Sequence, residues 1–227
     1  MPLSSVVGAQ SIIQPGVCTS STRPASPYDG QVIYETDTDK TLVWNGTGWV
    51  FLSTSRTNAG GLDFITASGA QSAQANIAVN SCFSSTYNNY RVVITNLILS
   101  SAANLQIRLR SGTTDTSGTG YHNTRIESNN AGTVSGIGLN ATSYWSPSYI
   151  SNSTDGTSIV MDFLRPFESI ATMATSQSVR TDSTTSLTTV TGSHYHNTAT
   201  SFDGFNIVPA SGTVTCNNIR VYGYVNS

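Results

Sequence analysis

The chain has 227 residues and a formal charge of −2, and only 10% of its residues are charged, against about a quarter in an average soluble domain. Lys40 is its only lysine, so the basic stripe that neutralises nucleic-acid phosphates is missing, and no nucleic-acid partner is expected. No run of about 18 apolar residues is present, which excludes a transmembrane helix.

The richness in Ser, Thr, Asn and Gly favours strands and turns over helices. Cys18, Cys82 and Cys216 are odd in number and far apart. They lack the close pairing of zinc or redox motifs, so they read as unpaired, buried thiols suited to a reducing cytoplasm. No positively charged side chain precedes Arg23, so the N-terminus does not read as a secretory signal.

Residues 1–27 hold Pro2, Pro15, Pro24 and Pro27 around two small apolar patches, Val6-Val7 and Ile12-Ile13. Nothing there closes on itself, and we expect an extended anchoring segment that orders by docking on a partner. Residues 28–54 predict a β-meander with runs at 31–35, 41–44 and 48–52. Its turns are 36–40 and Asn45-Gly46, the latter with the composition of a type I′ hairpin. A meander this small is marginal in water unless its apolar face is covered. Trp44 and Trp49 therefore require a partner surface, most simply the same meander of a neighbouring subunit. Residues 55–61, with Asn58-Ala59-Gly60-Gly61, read as a linker.

From Leu62 onward the pattern is strand after strand. Asn104 to Arg110 alternates with Leu105, Ile107 and Leu109 on one face. Arg108 and Arg110 share the other face, which reads as exposed. Arg91 to Thr95 is apolar on both faces, as a central strand would be. Residues 158–163, 205–208 and 219–225 are further strands, the last with Ile219, Val221 and Val225 inward. Turn clusters separate these runs. The expected fold is all-β: a small N-terminal β-meander followed, over residues 62–227, by a jelly-roll-like antiparallel β-sandwich.

The stretch from Arg23 to Tyr34, followed by Thr36-Asp37-Thr38 and Trp44-Asn45-Gly46-Thr47-Gly48-Trp49-Val50, resembles a module near the start of tailed-bacteriophage tail fibre and minor tail proteins. Phe202-Asp203-Gly204-Phe205, Pro209 to Thr213 and Ile219 to Tyr224 are similar to closing strands of β-rich domains in those proteins. Phe83 to Arg91 resembles an early strand of the same domains. The resemblance implies a virion structural protein, assembled in the host bacterial cytoplasm.

Two clusters are candidate sites. Tyr144, Trp145 and Tyr149 gather in a probable loop, where rings beside Ser suit stacking on a host surface glycan. The competing reading has Trp145 closing one end of the sandwich or lying at a subunit interface. His194 and His196 share one strand face. Some phage fibre tips use similar Gly-x-His-x-His units to hold metal on a trimer axis. Glu35, Glu127 and Glu168 are the only glutamates, none in a visible acid/base pair. With no Ser-His-Asp context and no phosphate-binding loop, neither an enzyme nor a cofactor is expected.

The sequence thus points to a homotrimeric tail fibre or tail-tip protein. Val6, Val7, Ile12, Ile13, Trp44 and Trp49 would serve anchoring on another virion protein and oligomer formation. The alternative is a capsid-decorating or head-fibre protein with a purely structural role.

Overall fold

The computed structural model describes residues 15–52, 61–183 and 186–225, the side chains of residues 182 and 183 excepted. Val6, Val7, Ile12 and Ile13 lie outside the described residues, as does most of the expected linker. The described residues contain strands and turns and no helix. The chain divides into two units, 1–57 and 58–227.

The first unit is a four-stranded sheet ordered β1 (Gly16–Cys18), β2 (Val32–Glu35), β3 (Lys40–Trp44) and β4 (Trp49–Phe51). Strands β2 to β4 form the expected meander. Strand β1 is an addition, pairing parallel to β2 with Gly16 opposite Ile33 and Cys18 opposite Glu35. Part of the segment read as an extended anchor is therefore built into the sheet. The connection back to β2 brings Arg23 onto Glu35, whose carboxylate is fully buried and also accepts from Thr38 Oγ1 at 2.7 Å. A buried carboxylate needs such partners, and the Arg23 and Thr38 hydrogen bonds hold it below the usual carboxylate range.

The Asn45-Gly46 turn is wider than a type I′ hairpin. Trp44 pairs with Trp49, leaving Asn45-Gly46-Thr47-Gly48 as the loop. The Asn45 side chain closes it, its Oδ1 accepting from the backbone N–H of Thr47 at 3.0 Å and Gly48 at 2.9 Å. Only Gly46 takes a positive φ, +92°. Asn45 thus acts through its side-chain acceptor rather than through a left-handed backbone. Ile33 and Leu42 are buried on one face. The half-buried rings of Trp44 and Trp49 meet edge-on with centroids 5.6 Å apart.

The second unit holds β5 (Leu62–Ala67), β6 (Gln71–Gln74), β7 (Ile77–Val79), β8 (Asn89–Leu99), β9 (Ala103–Ser111), β10 (Thr114–Asp115), β11 (Tyr121–Asn129) and β12 (Val134–Thr142). It continues with β13 (Tyr149–Ile150), β14 (Thr157–Leu164), β15 (Thr172–Ser183), β16 (Ser186–His196), β17 (Gly204–Pro209), β18 (Val214–Cys216) and β19 (Asn218–Tyr224). The large sheet runs β12-β11-β16-β15-β14-β8. Beyond β8, strands β19 and β18 pair with successive parts of that long strand, and β5 and β6 flank them in turn. The smaller sheet is β10-β9-β17-β7, with β13 also on β9. Every pairing in this unit is antiparallel.

The core lies between the two sheets. Leu105, Ile107 and Leu109 of β9, with Phe205 and Ile207 of β17, face Val92 and Ile94 of β8 and Ile159, Met161 and Phe163 of β14. Phe83, Phe163 and Phe205 form a ring cluster with centroids 5.2 to 5.9 Å apart. Cys82 and Cys216 are buried and free, whereas Cys18 is only half-buried.

Strand β8 keeps its apolar residues inward by a bulge at Asn96, which adopts φ +52°. Ile94 pairs with Ile159 and Leu97 with Thr157, so β8 carries one more residue than β14 between these pairs. Without that insertion, Leu97 and Leu99 would turn to the solvent face. Val93, expected to be as buried as its neighbours, is half-buried on the outer face. Arg110, expected on an exposed face, is buried. Strand β10 folds back beside it and supplies Asp115 as its ion-pair partner.

Gly204 of β17 packs against the backbone at the end of β7. A Cβ there would lie 2.3 Å from the Val79 carbonyl oxygen, a backbone atom that cannot rotate away. Gly204→Ala should therefore lower stability by about 1–3 kcal/mol, the usual range for overpacking. Urea unfolding measures it, and a midpoint equal to the native one would contradict this strand contact.

Candidate functional site: the outer face of the large sheet

Trp145 is fully buried and cannot stack on a ligand. Its backbone bridges to Ile107, with N–H to carbonyl distances of 2.9 and 2.8 Å. Its indole N–H donates to the Tyr195 carbonyl at 3.0 Å. The ring packs against Tyr121, Phe163 and His194, with centroids 5.6 to 6.0 Å away. Trp145 thus closes the sandwich, and the glycan-stacking role is withdrawn. Tyr144 and Tyr149 are half-buried, and the Arg180 guanidinium covers the Tyr149 ring at 5.6 Å, so the three rings do not form one platform.

His194 and His196 do share a strand face, but it is the inner one, and both are buried. His194 Nε2 lies 2.8 Å from Ser176 Oγ. Burial, with the Arg125 charge behind it, pushes this imidazole down to about 3. His196 packs edge-on against Tyr121 and Phe202 with centroids 4.6 and 5.1 Å away, and burial lowers its pKa too. Imidazoles enclosed between the sheets cannot meet on a trimer axis, so that metal site is withdrawn as well. Among the described residues no group of three or more His, Cys, Asp or Glu is placed to hold a metal ion.

Sequence reading missed a buried ionic cluster. Glu127 accepts from Arg125 Nε at 2.8 Å and from an Arg180 amino group at 3.0 Å. The Arg125 guanidinium also reaches the Ser146 carbonyl at 2.9 Å and Asn104 Oδ1 at 3.0 Å. Arg125 and Glu127 stand two apart on one strand, which was the available signal. The contribution of Arg180 comes from β15, more than 50 residues on, and no local pattern could supply it.

The same alternation that buries these groups turns a polar row outward from each strand. Thr124, Ser193, Thr175, Asp162 and Arg91 stand in register across β11, β16, β15, β14 and β8. Next to this row lie His122, Tyr195 and Met173 on one side. On the other lie Ile126, Thr191, Gln177 and Val160.

Three adjoining hollows follow these rows. The first, about 410 Å3, is framed by His122, Met173 and Tyr195. It shares Ser193 with the second, about 320 Å3, which holds Arg91, Asp162, Thr175, Gln177 and Thr191. The third, about 360 Å3, shares Gln177 and Thr191 with the second and ends at Val179 and Thr189.

The polar groups here are fixed rather than loose. Arg91 grips Asp162 with two hydrogen bonds of 2.8 Å, the geometry that suits a guanidinium to a carboxylate. Tyr224 Oη donates to the same carboxylate at 2.7 Å, and Arg91 lies 5.5 Å from the Tyr224 ring centre. Burial pushes the Asp162 carboxyl up, but the Arg91 and Tyr224 hydrogen bonds outweigh it and hold it below its ordinary value. His122 and Tyr195 bring their rings to 5.9 Å.

Comparison of the chain with protein-family models, curated proteins and solved structures finds no match.

Two outcomes test these placements. Trp145→Ala should remove about 3–5 kcal/mol of stability, as for other fully buried large rings; a urea midpoint close to native would put Trp145 outside the core. The second concerns pH. The unfolded chain protonates His194 near 6.5, whereas the folded chain resists protonation down to about 3. Stability should then fall as pH drops through that window, by at most about 1.4 kcal/mol per pH unit for this group. His194→Gln should flatten the pH dependence of the urea midpoint, and an unchanged slope would assign the effect elsewhere.

Proposed function

We propose that the chain is a structural protein of a tailed-bacteriophage virion, a homotrimeric tail fibre or tail-tip protein. Its N-terminal unit attaches and assembles, and its sandwich is displayed for contact with the host surface. The resemblance of residues 23–50 to tail-protein modules supplies the setting.

The observation that carries the assembly role is apolar surface on the small sheet. Val17 is 69% exposed, Phe51 56% and Val50 39%, within a unit too small to leave such groups in water without consequence. Trp44 and Trp49 cover one another only in part and share the sheet face of Phe51, whereas Val17 and Val50 stand on the opposite face. Association of copies through the face of Phe51, Trp44 and Trp49 would bury these rings, at roughly 25 cal/mol per Å2 of apolar surface.

Phe51→Asp tests this directly, because the side chain is exposed and its loss leaves the single-copy fold intact. Analytical ultracentrifugation should show a trimer for the native chain and monomer for the variant. A variant that stays trimeric removes the small sheet from assembly. Antibody against the sandwich should label virions at the tail in electron micrographs; label over the capsid would favour the decorating role instead.

A further inference from the structure

We propose that the trench on the outer face of the large sheet binds an uncharged oligosaccharide. This rests on the reading of the sandwich as the displayed part, and it names the site and ligand class for that contact.

The trench is a row of three neighbouring hollows, each sharing residues with the next. It follows β15 and β16 from Tyr195 to Thr189, which at ~3.3 Å per residue is about 20 Å. That length suits several linked sugars better than one. Tyr195 is 39% exposed at one end, with His122 beside it and Met173 in the same row. A partly exposed ring of this kind offers its face to the C–H surface of a pyranose.

The middle of the trench changes chemistry. Thr175, Gln177, Thr191 and Ser193 are all exposed. They present hydroxyl and amide groups that both donate and accept, matching sugar hydroxyls, which do the same. Arg91 and Asp162 are the only ionic side chains lining it, and they neutralise one another through two hydrogen bonds. A locked ion pair repels neither sign strongly and leaves no free Arg or Lys within the lining. The exposed Arg220 stands on β19, beyond Val93 in the row of Val160, so the ligand that complements the lining itself is uncharged.

The floor is rigid. It is backbone of β15 and β16, which pair in register from Thr172 opposite His196 to Thr181 opposite Leu187. Ordering of the site therefore asks little of the protein on binding, as preorganised sites require. Several copies on one particle would raise weak single-site binding through effective concentration.

The test uses the full native chain on an array of uncharged oligosaccharides built from hexoses and N-acetylhexosamines. The native chain should bind at least one of them. Tyr195→Ala and Gln177→Ala should each weaken that binding by about tenfold or more, the scale of a dominant contact. Tyr28→Ala, an exposed ring in the small unit, should leave it unchanged, and all three variants should keep the native urea midpoint. Failure of the native chain to bind any member overturns the proposal, as does native-strength binding by both trench variants. Thr191→Arg adds a bulky charge to the trench. If it changes the sedimentation coefficient from trimer to smaller species, the face is an interface between copies and the proposal falls. A chain found on virions but silent on the array would overturn this inference alone, leaving the structural role standing.

Discussion

Alternation along the long antiparallel strands is the constraint on which the rest of the sandwich depends. In β16 the residues Val190, Gly192, His194 and His196 point between the sheets, and Thr189, Thr191, Ser193 and Tyr195 point away. One residue of slip would exchange the sets, placing imidazoles in water and a row of hydroxyls against Phe163. Register is held at close contacts as well as by apolar burial. A Cβ on Gly192 would lie 2.8 Å from Ser176 Oγ and 3.1 Å from His194 Nε2. Only glycine leaves room there for the Ser176–His194 contact. The bulge at Asn96 performs the complementary task on β8, restoring inward parity where the strand continues to Leu99.

The interior is not uniformly apolar, and one ionic cluster dominates its polar groups. Arg125, Glu127 and Arg180 meet near Ser146 and Asn104, while Asn123 Oδ1 accepts from the Ser146 backbone N–H at 3.1 Å. Removing Glu127 alone would take the shared carboxylate from two largely buried guanidinium groups, which is more costly than never having built the cluster. These contacts tie β11 and β15 to the segment that carries Trp145. The ring and the ionic cluster therefore fix the same loop from its two sides. This explains why aromatic residues that look like a surface platform in sequence are drawn inward.

The strand character of the chain was legible in its alternation, and Leu105, Ile107 and Leu109 stand as their spacing requires. Which face was inner was legible only where one parity was apolar. In β16 both parities are mixed, and neither the histidines nor the hydroxyls declare their side. The sequence also repeats a Tyr-His-Asn-Thr run at 121–124 and 195–198, and its first two residues sit out of phase. Tyr121 and His196 are buried, whereas Tyr195 is exposed and His122 half-buried. Strand β1 was missed because three residues carry no period, and a parallel partner gives no turn signal. The trench is assembled from strands far apart in sequence, so its residues had no shared local pattern to find.

The scarcity of charge bears on the edges of the large sheet. Edge strands are commonly guarded by lysine or proline, and β12 has neither. Its guard is geometric. Ala141 sits at φ +55°, at the irregularity where Tyr121 pairs with Thr142 but Asn123 pairs with Leu139, and such a bulge bends an edge out of plane. Gly136 and Gly138 add open space along the same strand, while Val134 at its start is 66% exposed. Hydroxyl groups on the broad face and a bent edge at its side keep the sheet wet without charge. The uncharged hydrogen-bonding surface that results is the property the trench uses.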